Sequence, residues 1–423
     1  MKRVHAYLSI TVLIFVSALS CSKDENILQS QINSDQKTRI DTIQTKPGDS
    51  SQTELPDNSV DSTSNSSNDP ATIKSEVLAL FTSVGRTSQN LLKPATGALP
   101  SGVSLSDSNI LINANGVVME DYDLRGYTIF INSDNVIMRN NLLGEKDAPR
   151  TGKRVLDIRG DVKNFLIEDN DFIGYKGLGS GVTSAVFQRV LTSNENGTGG
   201  IIKRNRFKHF GNDMIKTSGG VLIEENVLYA ESNLEVLPSG VWDANQTYDL
   251  NEVIQDTGSN KHFISLMANN QGNSLPGINN SDNNWQYYDP HCDMVNPYDN
   301  TIPSTIRRNL FLRDTQDAML SANEKSYALG LTNAIRIVRN NSDNGRNYER
   351  LLIEENVVLG AEFYGGGAVP IQAANSGGAW SNPTLQNNLI DANGNGNYTH
   401  PSTASAVDWQ MNYDASTLSP INP

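Results

Sequence analysis

The chain has 423 residues, with Lys+Arg 33 against Asp+Glu 47 and a formal net charge of -14. That length allows about two or three domains of ordinary size. The acidity excludes a general nucleic-acid binder, which needs a basic face against phosphates, and two cysteines exclude a disulfide scaffold or a multi-cysteine zinc cluster.

Residues 1–20 have the make-up of a secretory signal: Lys2 and Arg3, then an apolar stretch from Leu8 to Val16 that is too short to span a bilayer. The following Ala18-Leu19-Ser20-Cys21 resembles a bacterial lipobox, which implies lipidation of Cys21 and attachment to a membrane through that lipid. Ser22-Lys23-Asp24-Glu25 is similar to the acidic export signal of surface lipoproteins in Bacteroidetes-type bacteria, implying an outer-membrane, cell-surface location. With Cys21 used in this way, Cys292 has no intramolecular disulfide partner. Residues 21–70, rich in Ser, Asp, Asn, Gln and Thr, bury too little apolar surface to offset their ordering entropy and read as a disordered tether. Apolar rhythm from Ile73 to Leu92 predicts a short helix over 72–91 that caps the open end of whatever follows.

From residue 100 onward an aliphatic residue, two polar residues and Asn recur: Met138–Asn141, Ile167–Asn170, Ile202–Asn205, Ile223–Asn226, Ile306–Asn309, Ile353–Asn356 and Leu385–Asn388. The asparagines are 29, 35, 21, 83, 47 and 32 residues apart, mostly the spacing of a stacked solenoid. Apolar residues around them alternate at period two, the mark of strands. Each unit therefore reads as strand, turn, strand, with Asn tolerating a left-handed turn and its amide bonding from coil to coil. The pattern resembles right-handed parallel β-helix proteins of the pectate-lyase-like superfamily. The expected fold is all-β: β-helix over 71–240 and 289–423.

The 83-residue interval contains residues 241–288, and without these 48 it shrinks to 35, an ordinary coil. Trp242, Tyr248, Val253, Gly258, Phe263, Pro276 and Trp285 are spaced similarly to small carbohydrate-binding modules of bacterial chitinases, although Leu250-Asn251-Glu252-Val253 replaces that family's Gly-Asp-Val-Val. The resemblance implies sugar stacking on Trp242, Trp285, Tyr287 or Tyr288. The alternative is that both tryptophans form the core of a tiny three-stranded domain.

Tyr287 to Asp293 is the densest titratable cluster. Its Asp289-Pro290-His291 resembles the active-site motif of alginate C5-epimerases, which implies His291 as acid/base and Asp289 as its partner. A metal set of Asp289, His291 and Asp293 is the weaker option, having no second His nearby. Lys216 lies 75 residues before His291, about one coil once the insert is removed, and is a candidate base stacked beside it. Arg307, Arg308, Arg313, Arg336 and Arg339 lie in coils where residues 301–350 hold eight Arg or Lys against five Asp or Glu. A planar Arg fork stabilises the carboxylate charge that builds as a uronate loses its α proton; solvated turn residues are the alternative for Arg307 and Arg308. Asn323-Glu324-Lys325-Ser326 offers Lys325 as a further base. It lacks the calcium-binding glutamates of the chondroitinase B and alginate lyase family, Ala318 and Leu320 standing in their place. Tyr364, among Gly365-Gly366-Gly367, can donate a proton, stack on sugar or close a turn.

These features point to a cell-surface polysaccharide lyase acting by β-elimination on a uronate polymer, with C5-epimerase as the related proton transfer. The alternatives are a hydrolase using a pair among Asp213, Asp289, Asp293 and Asp317, and a non-catalytic glycan-binding lipoprotein. The expected partners are a polysaccharide and, through the lipid, a membrane; the protein is expected to be monomeric and not to bind nucleic acid. Calcium is the one cofactor left open, since Asn and Asp offer oxygen ligands but no run has calcium-loop spacing.

Overall fold

The computed structural model describes residues 69–86, 90–146, 153–174, 182–189, 199–210, 213–231, 238–250, 252–277, 282–288, 293–298, 302–314, 333–339, 351–360, 370–375, 383–392, 396–399 and 407–421. The signal, Cys21 and the tether as far as residue 68 lie outside them; the tether's expected last residues, Asp69 and Pro70, open a helix instead. Every element below belongs to one compact unit, Thr63–Pro276 with Ser281–Pro423.

The strands form a solenoid-like stack. Eight successive coils each give one strand to each of three sheets, and within a sheet neighbouring coils pair in parallel. The first sheet has nine strands, from Val103–Ser106 to Ile371–Asn375; the second has nine, from Val118–Glu120 to Asp408–Trp409; the third has eleven, from Lys93–Pro94 to Pro420–Ile421. Period-two alternation in these short strands sends one set of side chains inward, where they stack by register. In the second sheet one inward column runs Met119, Met138, Ile167, Ile202, Ile223, Ile306, Ile353, Leu385. In the third sheet Phe172 and Phe207 stack ring on ring at 4.6 Å. At the first coil the strand Val103–Ser106 folds back antiparallel on Asn109–Ile112.

All seven asparagines of the repeat are 0% exposed and form a ladder at the turn between the second and third sheets, which Asn412 extends by one rung. Each amide Nδ2 donates to the next coil's Oδ1 at 2.8–3.1 Å, from Asn141 onto Asn170 to Asn388 onto Asn412. The left-handed backbone is carried one position earlier than the sequence suggests. Asn140, Asp169, Arg204, Glu225, Arg308, Glu355 and Asn387 have φ between 51° and 55°. The asparagine itself supplies the side chain that satisfies buried backbone groups.

The predicted helix forms, but over Pro70–Ser83 rather than 72–91, as α1; Asp69 N-caps it, its carboxylate accepting from the backbone N–H of Thr72, and Val84 turns extended to end it. It does not cap an open end. Ile73, Val77 and the following Val84 pack on Val227, Leu310, Val357, Leu389, Tyr413 and Ala415, most of them outward-facing in the third sheet. The helix starts beside the last coils, where Lys74 Nζ donates to the Ala415 carbonyl and Glu76 pairs with Arg308 at 2.7 Å. It ends beside the fourth, where the Arg206 guanidinium donates to the Phe81 and Val84 carbonyls. The chain goes on past Asp171 and Asn140 and joins the sheet as Lys93–Pro94 against Tyr122–Asp123. Residues 69–86 and 90–94 are thus parts of a strap laid across the coils.

Between the fifth and sixth coils the chain leaves the parallel stack. Thr247–Tyr248 pairs antiparallel with Asn270–Gln271, and Lys261–Ser265 pairs antiparallel with both Val253–Asp256 and Trp285–Tyr288. Two small cores of their own hold these strands, Tyr248, Ile254, Phe263 and Trp285 in one and Val253, Ile264 and Tyr288 in the other. The parallel sheets close up behind this segment: Ile215 pairs with Val295 and Val227 with Leu310.

Candidate functional site

The chemistry-bearing side chains gather on the outer face of the first sheet. Outward positions follow the register Phe130, Asp157, Phe187, Lys216, Asn296 on successive strands, with Arg336 on the next strand and Gln372 on the one after it. Strand spacing puts such neighbours about 4.8 Å apart. Phe187 is 5% exposed, with the Arg154 guanidinium over its ring at 3.6 Å. Arg154 and Arg189 both bind Asp157, at 2.9 and 2.8 Å. Next in the column, Lys216 Nζ lies over the Tyr298 ring at 4.4 Å and 5.9 Å from that of Phe187. Arg336 donates to Asp293 Oδ2 at 3.0 Å, and Asn333 donates to Asp293 Oδ1 at 2.7 Å.

Lys216 and Arg336, two of the sequence-predicted residues, therefore share one face, and a third, Asp293, is tied to it through Arg336. The strand neighbour of Lys216 is Asn296 rather than His291; His291 and Asp289 lie outside the described residues, as do Lys325, Tyr364 and Asp317. Asp213 and Asp293 stand two positions before the paired Ile215 and Val295, so these two buried carboxylates hold equivalent places on neighbouring strands. No group of three His, Cys, Asp or Glu among the described residues is placed to hold a metal ion.

Arg307 and Arg308 are elsewhere. Arg307 ends a strand of the second sheet and pairs with Glu224 at 2.8 Å; Arg308 binds Glu76 at 2.7 Å and Glu355 at 3.2 Å. Both belong to columns of alternating charge beside the asparagine ladder. One runs Glu120, Arg139, Glu168, Lys203, Glu224, Arg307, Glu354 by strand register. The other places Asp169, Arg204, Glu225, Arg308 and Glu355 one above the next. Each guanidinium is taken up by carboxylates of adjacent coils, which removes these two arginines from the first-sheet face.

The four aromatics proposed for sugar stacking separate by burial. Trp285 is 0% exposed and packs edge-on against Tyr248, with Nε1 donating to the Asn273 carbonyl, and Tyr288 is 8% exposed. No sugar ring reaches either face. Trp242 and Tyr287 are half-buried at the edge of that core and keep exposed surface.

The sequence reading did not single out Phe187, Tyr298, Asn296 or the Asp157 pair of arginines. The ladder asparagine is the natural ruler, but Lys216, Asn296 and Arg336 precede theirs by 10, 13 and 20 residues, so no fixed offset identifies the column. Compared with protein-family models, curated proteins and solved structures, the chain finds no match in any of the three.

Proposed function

We propose that the protein is a cell-surface, lipid-anchored enzyme of right-handed β-helix fold that cleaves a uronate-containing polysaccharide by β-elimination on the outer face of the first sheet. The observation that carries the reading is the run of Lys216, Asn296 and Arg336 on one face, with Tyr298 against Lys216 and Asp293 fixing Arg336. Elimination needs little else. An amine takes the proton α to the carboxylate, the electron pair forms the ring double bond, and the bond to the leaving oxygen breaks. That oxygen takes a proton from an acid, for which Tyr298 and the sequence-predicted His291 are the nearest groups in chain order. Arg336, held by Asp293, offers its fork to the carboxylate as charge builds. Calcium is an added neutraliser if activity needs it. The antiparallel segment fits a sugar-binding module that keeps substrate close through Trp242 and Tyr287.

The hydrolase reading draws on one observation, the equivalent places of Asp213 and Asp293. Against it, both Asp293 oxygens already accept from Arg336 and Asn333. Incubating the full chain with alginate, pectate, chondroitin and chitin separates the readings. Ultraviolet-absorbing unsaturated uronate, lost in Lys216→Ala, is the expected result. Reducing ends without that absorbance establish hydrolysis, and retention on polysaccharide gels with neither product establishes a binding protein.

A further inference from the structure

Asn296 is 6% exposed and its Oδ1 meets no donor among the described residues. Every rung of the asparagine ladder has its partners, whereas Asn296 Oδ1, like Gln188 Oε1, has none among the described residues. A buried acceptor with no donor costs free energy, and proteins keep such groups where a ligand or a reaction completes them. The neighbours of Asn296 define what that ligand carries. Lys216 is its register partner on one side. On the other side Arg336 stands one step along from the pair Val295 and Ile335. Two cations call for an anion, and a neutral acceptor between them calls for a hydroxyl. One molecule that offers both within a few bonds is a 4-linked uronate with a free hydroxyl at C2 or C3.

We infer that Asn296 is a specificity-determining residue, accepting a hydrogen bond from that free hydroxyl while Arg336 holds the carboxylate and Lys216 meets the α carbon, so that polymers with the hydroxyl esterified are turned away. This rests on the reading of the first-sheet face as a uronate site. The incoming uronate displaces Lys216 from the Tyr298 ring and opens the way to the amide.

Affinity electrophoresis of the full chain tests it, using gels that contain alginate or polygalacturonate, each with free hydroxyls or fully O-acetylated. Wild type binds the free form at least roughly tenfold more tightly than the acetylated form, the worth of one hydrogen bond to a buried acceptor. Asn296→Leu keeps the side-chain size and removes the acceptor, so its ratio falls to near one while its melting temperature does not drop. Asn296→Asp keeps an acceptor, binds both forms more weakly by like-charge repulsion, and retains a ratio well above one; it carries the test if the Leu variant fails to fold. A wild-type ratio near one, an Asn296→Leu ratio unchanged from wild type, or an Asn296→Asp ratio near one overturns the inference even where unsaturated products form. A ratio that collapses in Asn296→Leu, in a chain whose wild type releases no unsaturated product, upholds it and overturns the elimination alone. No retention on either polymer overturns both.

Discussion

Each ladder asparagine both accepts and donates along the stack, which makes it harder to replace than an ordinary buried amide. Asn226 accepts from the Asn205 backbone N–H and amide, and donates to the Ile202 carbonyl and to Asn309 Oδ1. Asn226→Ala leaves a buried N–H and a buried carbonyl without partners and should lower unfolding stability by about 3 kcal/mol in urea titration. Asn226→Asp should cost a comparable amount, because the donor half is lost. The repeat of Asn was plain in the sequence, since identity at one position is required by the side-chain geometry. The left-handed position before it was not, because Asn, Asp, Arg and Glu all occupy it and no residue type marks it. The charged side chains at that position stack with alternating sign. Exposed pairs of this kind contribute about 0–1 kcal/mol each, so their main effect is to keep like charges apart from coil to coil.

The strap shows how an element can be legible while its seat is not. Apolar spacing predicted the helix, but the surface that receives it lies in strands such as Val227–Glu231, Leu310–Asp314, Val357–Leu359 and Leu389–Ile390, which carry apolar residues on both faces. A strand apolar on both faces is covered on both; that was the available signal. Gly85 fixes the exit of the helix. Its φ is +89°, and a Cβ there would stand 2.3 Å from Asp171 Oδ1. Gly85→Ala should therefore loosen the strap, at a cost of about 1–3 kcal/mol, read as faster amide exchange of Asp69 to Gly85. Burial also pushes the Asp171 carboxyl above the ordinary carboxylate range, against the pull of the Arg86 backbone N–H and of Arg206. The folded state then favours the neutral acid. The stability this gives is full below the unfolded-state pKa and is lost as pH rises through the elevated folded value. Relative to Asp171→Asn, the melting temperature of the wild type should fall as pH climbs from that range toward neutrality. Asp391, raised by burial beside the start of the helix, adds a change of the same sign.

At the scale of the molecule, the parallel architecture was readable because backbone pairing repeats the same demand at every coil. The face that gathers Lys216, Asn296 and Arg336 was readable only in part, since loops of unequal length separate each outward residue from its ladder rung. The antiparallel segment keeps its own two cores, and the sheets pair directly behind it. Replacing residues 238–290 with a short linker should leave cooperative melting of the solenoid intact. Within the segment, Trp285→Ala opens a cavity at a cost of about 3–5 kcal/mol and should melt that segment alone. Trp242→Ala, at the half-exposed edge of that core, should lower the segment's melting temperature less than Trp285→Ala does and weaken polysaccharide retention. One consequence follows from where the strap lies. Residues 69–86 leave the ribosome before any coil exists, yet their seat includes Leu389, Tyr413 and Ala415. Coils can accrete one upon another as the chain emerges, whereas the clasp closes only after the final turn has been made. Premature termination after residue 391 should yield a protein with protease-accessible Ile73 and Val77, giving quality control a direct way to recognise unfinished copies.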